Sequence, residues 1–365
     1  MSTRIHIVVA ARPNFMKAAP LWHALASKPW AKPILVHTGQ HYDHGMSDVF
    51  FEELGMPEPN VNLGIGGGTH GMQTGRVLEA YESLLLENRP ELVVVCGDVN
   101  ATPAAALAAV KLGIPVAHLE AGLRSFDRTM PEEINRLITD TICDELWTPS
   151  EDADEHLLRE GIPPERIQRV GNIMIDTLEM LRPRIESDAT RTRLGLTDHE
   201  YAVVTVHRPS NVDDPRQLQR VCTAMFACSE VMPLIFPLHP RTRTRLADAG
   251  LLGVLKSHPR IFLAEPLPYI AFMNLIFGCA VVVTDSGGVQ EETSYLGIPC
   301  LTLRENTERP ITVTRGTNRL VTVDNVLSHF SSVPEAEPTS GAIPLWDGKT
   351  AGRIVDLIHA KWCPA

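Results

Sequence analysis

The chain has 365 residues, with 33 Lys and Arg against 44 Asp and Glu for a formal charge of −11, and 44% of its residues are hydrophobic; this is a globular composition, long enough for two domains with separate cores. The acidic balance argues against a nucleic-acid backbone as partner, and the longest apolar stretch, Met273 to Val283 broken by Asn274 and Gly278, falls far short of the roughly 18 residues that span a bilayer. The start, Met-Ser-Thr-Arg-Ile-His, lacks a signal-peptide h-region, which makes the cytoplasm the expected compartment, and seven cysteines without a C-x-x-C pair read as reduced, buried thiols.

In chain order, short β-branched runs alternate with helical-period segments, the pattern of βαβ units and a parallel sheet, so the class is α/β. The first series has strands at Ile5–Ala10, Pro33–Thr38, Leu92–Cys96, Pro115–Leu119 and Leu146–Thr148, with helices near 15–28, 70–88, 101–112 and 131–143. A charge-rich helical connector follows over 173–198. The second series has strands at Ala202–Val206, Leu234–Pro237, Ile261–Ala264, Ala280–Thr284, Cys300–Leu303 and Leu320–Val323, with helices near 213–229, 241–249, 269–278 and 288–296. The expected domains are 1–172, a Rossmann-like domain carrying carboxylates; the connector 173–198; 199–348, a second Rossmann-like domain; and a closing helix, 349–365, that could pack on either. Such sheets bind ligands outside the carboxyl ends of their strands, so function is expected in a cleft between the domains.

Chemistry-bearing residues stand at those strand ends. Asp98 ends Leu-Val-Val-Val-Cys-Gly-Asp, Glu120 ends Val-Ala-His-Leu-Glu, and Glu132 follows Pro131 in the first turn of a helix. One acid there is commonly a cap, but three on adjacent elements suit proton transfer to and from a carbon or a sugar oxygen. Glu133 competes with Glu132, because neighbours on a helix face different ways. Arg12 and Lys17 follow the first strand, and His207-Arg208 and His239-Pro240-Arg241 end two strands of the second series, where they suit phosphate contacts. The most specific feature is Val-Val-Val-Thr-Asp-Ser-Gly-Gly-Val-Gln-Glu-Glu at 281–292: Ser286 is expected to cap the next helix while Gly287 and Gly288 let a phosphate approach its N–H groups. Glu292 could then take ribose hydroxyls, and Arg309 is a second cation nearby. Two signals are weaker. Gly64-Ile-Gly-Gly-Gly follows Pro-Asn-Val-Asn rather than a strand and reads as a flexible loop, and His37, His41 and His44 have ligand-like spacing but Gly39 and Gln40 interrupt any helix.

The motifs Ala-Arg-Pro-Asn-Phe-Met-Lys, Thr-Gly-Gln-His, Cys-Gly-Asp-Val-Asn, His-Leu-Glu-Ala-Gly-Leu-Arg-Ser, Met-Pro-Glu-Glu-Ile-Asn-Arg, Thr-Val-His-Arg, Thr-Asp-Ser-Gly-Gly-Val-Gln-Glu-Glu and Thr-Glu-Arg-Pro resemble, in order over about residues 5 to 325, the non-hydrolysing UDP-N-acetylglucosamine 2-epimerase family. The resemblance implies a GT-B-like fold of two Rossmann-like domains, a cytoplasmic homodimer, and interconversion of UDP-GlcNAc and UDP-ManNAc for polysaccharide synthesis with neither NAD nor metal. It implies catalytic acids at Asp98, Glu120 and Glu132, active-site cations at Arg12, Lys17 and His207, and UDP contacts at Ser286, Gly287, Gly288, Glu292 and Arg309, with the uracil near Phe272. Which carboxylate is the base stays open. The chain departs from many members at Asn14, where they carry Glu, and at Pro209-Ser210. Met72-Gln73 stands where members regulated by a second UDP-GlcNAc carry Arg-Gln, and Asp43 replaces a Gln, so weak or absent substrate activation is expected. The pattern also resembles relatives acting on a UDP-2,3-diacetamido-2,3-dideoxy-glucuronic acid. A hydrolysing 2-epimerase and a GT-B glycosyltransferase are the further alternatives.

Overall fold

The computed structural model describes residues 2–39, 51–333 and 343–363, and the chain divides into one unit of Met1–Met180 with Pro344–Ala365 and another of Leu181–Ile343. The division falls inside the helix Ile173–Ser187, so the stretch 173–198 is shared between the units instead of standing apart.

The first unit holds a seven-stranded, all-parallel sheet in the order β3-β2-β1-β4-β5-β6-β7. Its strands are β1 (Thr3–Val9), β2 (Ala31–His37), β3 (Val61–Asn62), β4 (Leu92–Cys96), β5 (Val116–Leu119), β6 (Glu145–Thr148) and β7 (Ile167–Arg169). The central strands β4 and β5 are buried along their whole length, as a parallel sheet covered on both faces requires, and read as apolar runs broken only by His118 in β5. Val93, Val95 and Val116 pack with Ala105, Ala108 and Ala109 of the helix Ala101–Lys111 and with Tyr81 and Leu85 of His70–Glu87, in one core whose alanines let the helix lie close to the sheet.

The second unit holds a six-stranded parallel sheet in the order β10-β9-β8-β11-β12-β13, formed by β8 (Ala202–Thr205), β9 (Leu234–Pro237), β10 (Ile261–Ala264), β11 (Val281–Thr284), β12 (Cys300–Leu303) and β13 (Asn318–Val321). Ala202, Val204, Val283 and Leu301 pack with Leu218, Val221 and Met225 of the helix Pro215–Val231. Both sheets reverse direction of growth once, between β1 and β4 and between β8 and β11. At such a reversal two neighbouring crossovers leave in opposite directions, opening space for a ligand at the carboxyl ends. The expected α/β class with two Rossmann-like parallel sheets is therefore the observed one.

Several local expectations differ from the structure. Two edge strands, β3 and β7, escape a periodicity reading because they have only two and three residues, and the helix Glu151–Arg159 escapes it because only Ala153, His156 and Leu157 of its charged sequence are buried. The last strand begins at Asn318, two residues before the expected Leu320. The reason is polar: the Asn318 side chain donates to Gln290 Oε1 (3.0 Å) and Thr312 Oγ1 (3.1 Å) and accepts from Thr302 Oγ1 (2.6 Å), so it is buried despite its polarity. The run Gly64–Gly68 does follow a strand, β3, and precedes the helix His70–Glu87, correcting the expectation that no strand stands before it. His41 and His44, with Gln40 and Asp43, lie outside the described residues. Among the described residues no helix is long and apolar enough to cross a membrane.

The closing helix, Thr350–Trp362, belongs to the first unit. Buried Asp176 accepts from the backbone N–H of Thr350 (3.0 Å) and Ala351 (2.8 Å), satisfying two of the helix's orphan donors at its positive end. Asp176→Ala leaves both N–H groups buried without an acceptor and is expected to destabilise the first unit by about 1–3 kcal/mol, read as a lower midpoint in chemical denaturation.

Candidate functional site

In the first unit the residues after β1, β4 and β5 meet at the sheet's switch point. The helix Arg12–Ala26 begins three residues earlier than the expected 15–28 because Pro13 suits its first turn and Asn14 reaches back. Asn14 Oδ1 accepts from the N–H groups of Ala10 (3.2 Å) and Ala11 (3.1 Å), and its Nδ2 donates to the Cys96 carbonyl at 2.9 Å. An ionised glutamate at this position could not make that last bond, because its carboxylate has no donor. Lys17, one turn further, is buried and paired with the buried Glu120 carboxylate. Gly97 is required where it stands, since its φ is +63° and a Cβ there would lie 2.8 Å from Lys17 Nζ and 3.4 Å from Glu120 Oε2. Glu120 itself has φ +75°, a left-handed conformation costing a non-glycine residue about 1–2 kcal/mol. Such strain concentrates at functional positions.

Asp98, partly exposed, accepts from Arg136 Nη1 at 2.5 Å. Arg136 also holds Glu133, through Nη2 at 2.6 Å and Nε at 3.0 Å. The two neighbours at the start of the helix Pro131–Ile142 thus separate. Glu133 turns inward, accepting also from the Ser125 N–H (3.0 Å) and hydroxyl (3.0 Å) and the Phe126 N–H (2.9 Å), while Glu132 is exposed. Burial pushes the Glu133 carboxyl up, but Ser125, Arg136 and Phe126 together hold it below its ordinary value. Arg12 occupies the first helical position after β1; its side chain lies outside what the structure describes.

In the second unit the matching positions follow β8 and β11, which run side by side with Thr205 opposite Thr284. Asp285, fully buried, accepts from the N–H of His207 (2.9 Å), the N–H of Arg208 (2.8 Å) and Asn211 Nδ2 (3.0 Å). Burial raises its pKa, and His207, Asn211 and Arg208 outweigh that and hold it low. Asp285 therefore fixes the turn that presents His207, whose Nδ1 lies 3.1 Å from Oδ1. Asp285 lies just past the expected strand Ala280–Thr284, and nothing local in the sequence shows that β8 and β11 are neighbours. His239 lies with its ring centroid 5.1 Å from that of His207, and burial followed by the His207 charge lowers its pKa.

Ser286 stands at the N-cap of the helix Gly287–Leu296, but its hydroxyl makes no capping bond, correcting the expected role. Its own N–H donates to Thr284 Oγ1 at 2.9 Å. The two glycines have different reasons. A Cβ at Gly287 would lie 2.6 Å from Arg309 Nη1 and 2.8 Å from Glu308 Oε1, whereas one at Gly288 would meet nothing within 4 Å. Arg309 is held by Glu291 (Nε, 2.9 Å) and Glu308 (2.6 Å), and Glu308 is also ion-paired with Arg304 (2.8 Å) and with Arg208 at 3.6 Å. Three guanidiniums thus share two carboxylates beside a helix N-terminus, an anion-receptive arrangement. Burial pushes Glu308 up, but Arg309, Arg304 and Arg208 hold it far below the usual carboxylate range. Glu308 and Glu291 were not singled out from the sequence, where nothing shows that they converge on one arginine.

Glu292 is buried and accepts from the Tyr269 hydroxyl at 2.7 Å. Phe272, half-buried, is one turn beyond Tyr269 on the helix Tyr269–Gly278. Burial, with Glu291 nearby, raises the Glu292 pKa to about 7 against Tyr269's opposing bond. A raised carboxyl favours the fold fully below its unfolded value and loses that advantage as pH rises through the folded one. Wild type is therefore expected to lose stability relative to Glu292→Gln between pH 4.5 and 7, by roughly 3 kcal/mol; urea denaturation of both proteins at pH 5 and pH 8 measures it.

The model of the UDP-N-acetylglucosamine 2-epimerase family matches residues 23–359. A UDP-N-acetylglucosamine 2-epimerase of Methanocaldococcus jannaschii is 43% identical, covering 97% of this chain and 98% of its own. A crystal structure of the M. jannaschii UDP-GlcNAc 2-epimerase in complex with UDP-GlcNAc and UDP superimposes with TM-score 0.88 at 41% identity, covering 98% of this chain and all of that one. The UDP-2,3-diacetamido-2,3-dideoxy-D-glucuronate 2-epimerase of Pseudomonas aeruginosa is 41% identical, covering 87% of this chain and 88% of its own.

Proposed function

The chain belongs to the UDP-N-acetylglucosamine 2-epimerase family, and on that footing we propose that it inverts C2 of UDP-GlcNAc to give UDP-ManNAc without hydrolysis. The observation that carries the reading is the nearly full-length identity to the M. jannaschii enzyme, whose crystal structure is a complex with UDP-GlcNAc and UDP. The residues support it chemically.

The hydrogen at C2 has no carbonyl beside it, so simple deprotonation is too unfavourable. In the proposed route a carboxylate takes the C2 proton as the C1–O bond breaks; the C–H electron pair becomes the C1=C2 bond of a 2-acetamidoglucal, and the bond pair to oxygen leaves with UDP. UDP then returns to C1 while a proton is delivered to the opposite face of C2. This requires acids and bases on two faces of the ring and cations for the departing diphosphate. Asp98, Glu120 and Glu132 are the proposed acids and bases, and Lys17, Arg12 and His207 the proposed cations. Asp98 and Glu120 are positioned by Arg136 and Lys17, while Glu132 is exposed and suits exchange with solvent. On the UDP side, the open first turn at Ser286, Gly287 and Gly288 and the Arg309 guanidinium suit the diphosphate. Glu292 suits the ribose hydroxyls and Phe272 the uracil face. The chemistry requires neither NAD nor metal, and a cytoplasmic homodimer completes the reading.

The P. aeruginosa relative favours a second reading, a substrate with an acetamido group at C3 and a carboxylate at C6. Proton NMR of the protein with UDP-GlcNAc in D2O separates them: UDP-ManNAc deuterated at C2 is expected, an inert sugar points to the diacetamido uronate, and free ManNAc with UDP makes the protein a hydrolase.

Asp98→Asn and Glu132→Gln should each lower turnover about 10²-fold or more while leaving UDP affinity, measured by calorimetry, within about twofold; wild-type rates in either would defeat the assignment. Rates hyperbolic in UDP-GlcNAc are also expected. Met72 brings no charge to its exposed position, and Gln73 is engaged by Asn100 Nδ2 at 2.7 Å, so marked sigmoidicity in initial-rate curves would contradict the absence of substrate activation.

A further inference from the structure

The helix that Glu132 opens faces the interior of its unit with charge in place of hydrocarbon. Glu133, Arg136, Thr139 and Asp140 are its buried residues and share one face. A helix seated this way gains little from apolar burial, and each of those groups requires partners in fixed geometry. Arg136 and Glu133 have theirs in Asp98, Ser125 and Phe126, described above. Asp140, fully buried, has three more. Its Oδ1 accepts from His118 Nδ1 at 2.6 Å, and its Oδ2 accepts from the Gly122 N–H at 3.1 Å and from Arg124 Nη1 at 2.6 Å.

His118, fully buried in β5, also faces the Gly97 carbonyl, 2.8 Å from Nε2. Each ring nitrogen thus has an oxygen within hydrogen-bond reach. Arg124 continues to Glu160 through Nε at 2.7 Å and Nη2 at 2.6 Å, so His118, Asp140, Arg124 and Glu160 form one chain of contacts. Its arms end at informative places. One holds the carbonyl of the residue before Asp98, another the N–H two residues after Glu120, and Asp140 itself lies about two turns along the helix from Glu132.

We infer that Asp140, acting through His118, is a positioning residue that sets the segments bearing Asp98, Glu120 and Glu132 in one register. Asn135 reinforces the same register by donating to the Asp98 carbonyl at 2.8 Å. The arm to Gly122 closes the turn in which Glu120 is held at positive φ. Apolar residues on this helix face could supply stability at least as well; what a buried ionic network adds is direction. The kinetic consequences rest on the epimerase reading above, whereas the structural ones do not.

The test uses Asp140→Asn, which keeps the size but removes the carboxylate's charge and leaves one acceptor oxygen where there were two. His118→Gln loosens the Gly97 arm separately, and Glu160→Gln, which weakens only the outer Arg124 contact, is the control. The readouts are kcat and KM with UDP-GlcNAc, UDP affinity by calorimetry, 2-acetamidoglucal released per epimer formed, and hydrogen exchange at the Gly122 amide. A misplacement of about 1 Å costs on the order of 10²-fold in rate, so kcat should fall about 10- to 100-fold in the first two variants. KM and UDP affinity should stay within about threefold, and more glycal should escape because elimination and readdition no longer match. The Gly122 amide should exchange faster in Asp140→Asn, and Glu160→Gln should keep kcat within about threefold. Wild-type kcat and glycal ratio in a folded Asp140→Asn or His118→Gln protein overturn the inference, as does an equal loss in Glu160→Gln. If Asp140→Asn does not fold, His118→Gln decides; if neither folds, the role is structural only and the inference falls. A wild-type protein inert toward UDP-GlcNAc defeats the UDP-GlcNAc reading instead, and Gly122 exchange then decides the positioning.

Discussion

A charged group removed from water needs an opposite charge within hydrogen-bond reach, and both units meet that demand at the carboxyl ends of their central strands. In the first, Lys17 is buried against Glu120 and Arg136 against Glu133, with its other arm on the partly exposed Asp98. In the second, Arg309 and Arg304 are held by Glu308 and Glu291. Breaking one side of such a pair leaves the other uncompensated, so each turn has few arrangements open to it. Loops at strand ends thereby gain an order usually found in the elements they join.

The sheets place these pairs where a ligand can use them. Parallel order with a single reversal puts β1 beside β4 and β8 beside β11; the turns after β4, β8 and β11 carry Asp98, His207 and Ser286, and the helix after β1 carries Lys17. The apolar strands behind them form close-packed cores, so a small displacement at a strand end is resisted by the whole sheet. The net charge of −11 is no obstacle to an anionic ligand, since three arginines and an uncapped helix start are gathered in one place. Charge-assisted contacts of about 1.5–3 kcal/mol act over hydrogen-bond distances, within which the distant acidic surface is screened.

The candidate residues divide by how far each depends on its neighbours. Asp98, Glu120 and the 281–292 turn were legible because a residue's place after a β-branched run is a local property. Glu132 against Glu133 was not, because one residue of helical rotation decides which side chain points inward, and the partners that decide it, Ser125 and Arg136, are contributed by a loop and a later turn. Ser286 sits where a cap belongs, yet its hydroxyl makes no capping bond. Gly287 and Gly288 look alike in the sequence, but only one is pressed against Arg309.

The sequence by itself determined the class, the alternation of strand and helix and the strand ends at which acids and cations stand, because side-chain periodicity and β-branching act over a few residues. Tertiary structure decided which charges pair, as Asp285 with the turn at His207 and Asp140 with His118 show. It also decided that the closing helix docks on Asp176 and that a buried Asn318 extends its strand. Those outcomes depend on groups from 6 to 175 positions apart coming within hydrogen-bond reach, and hydrogen bonding is too short-ranged and directional for chain order alone to announce its partners.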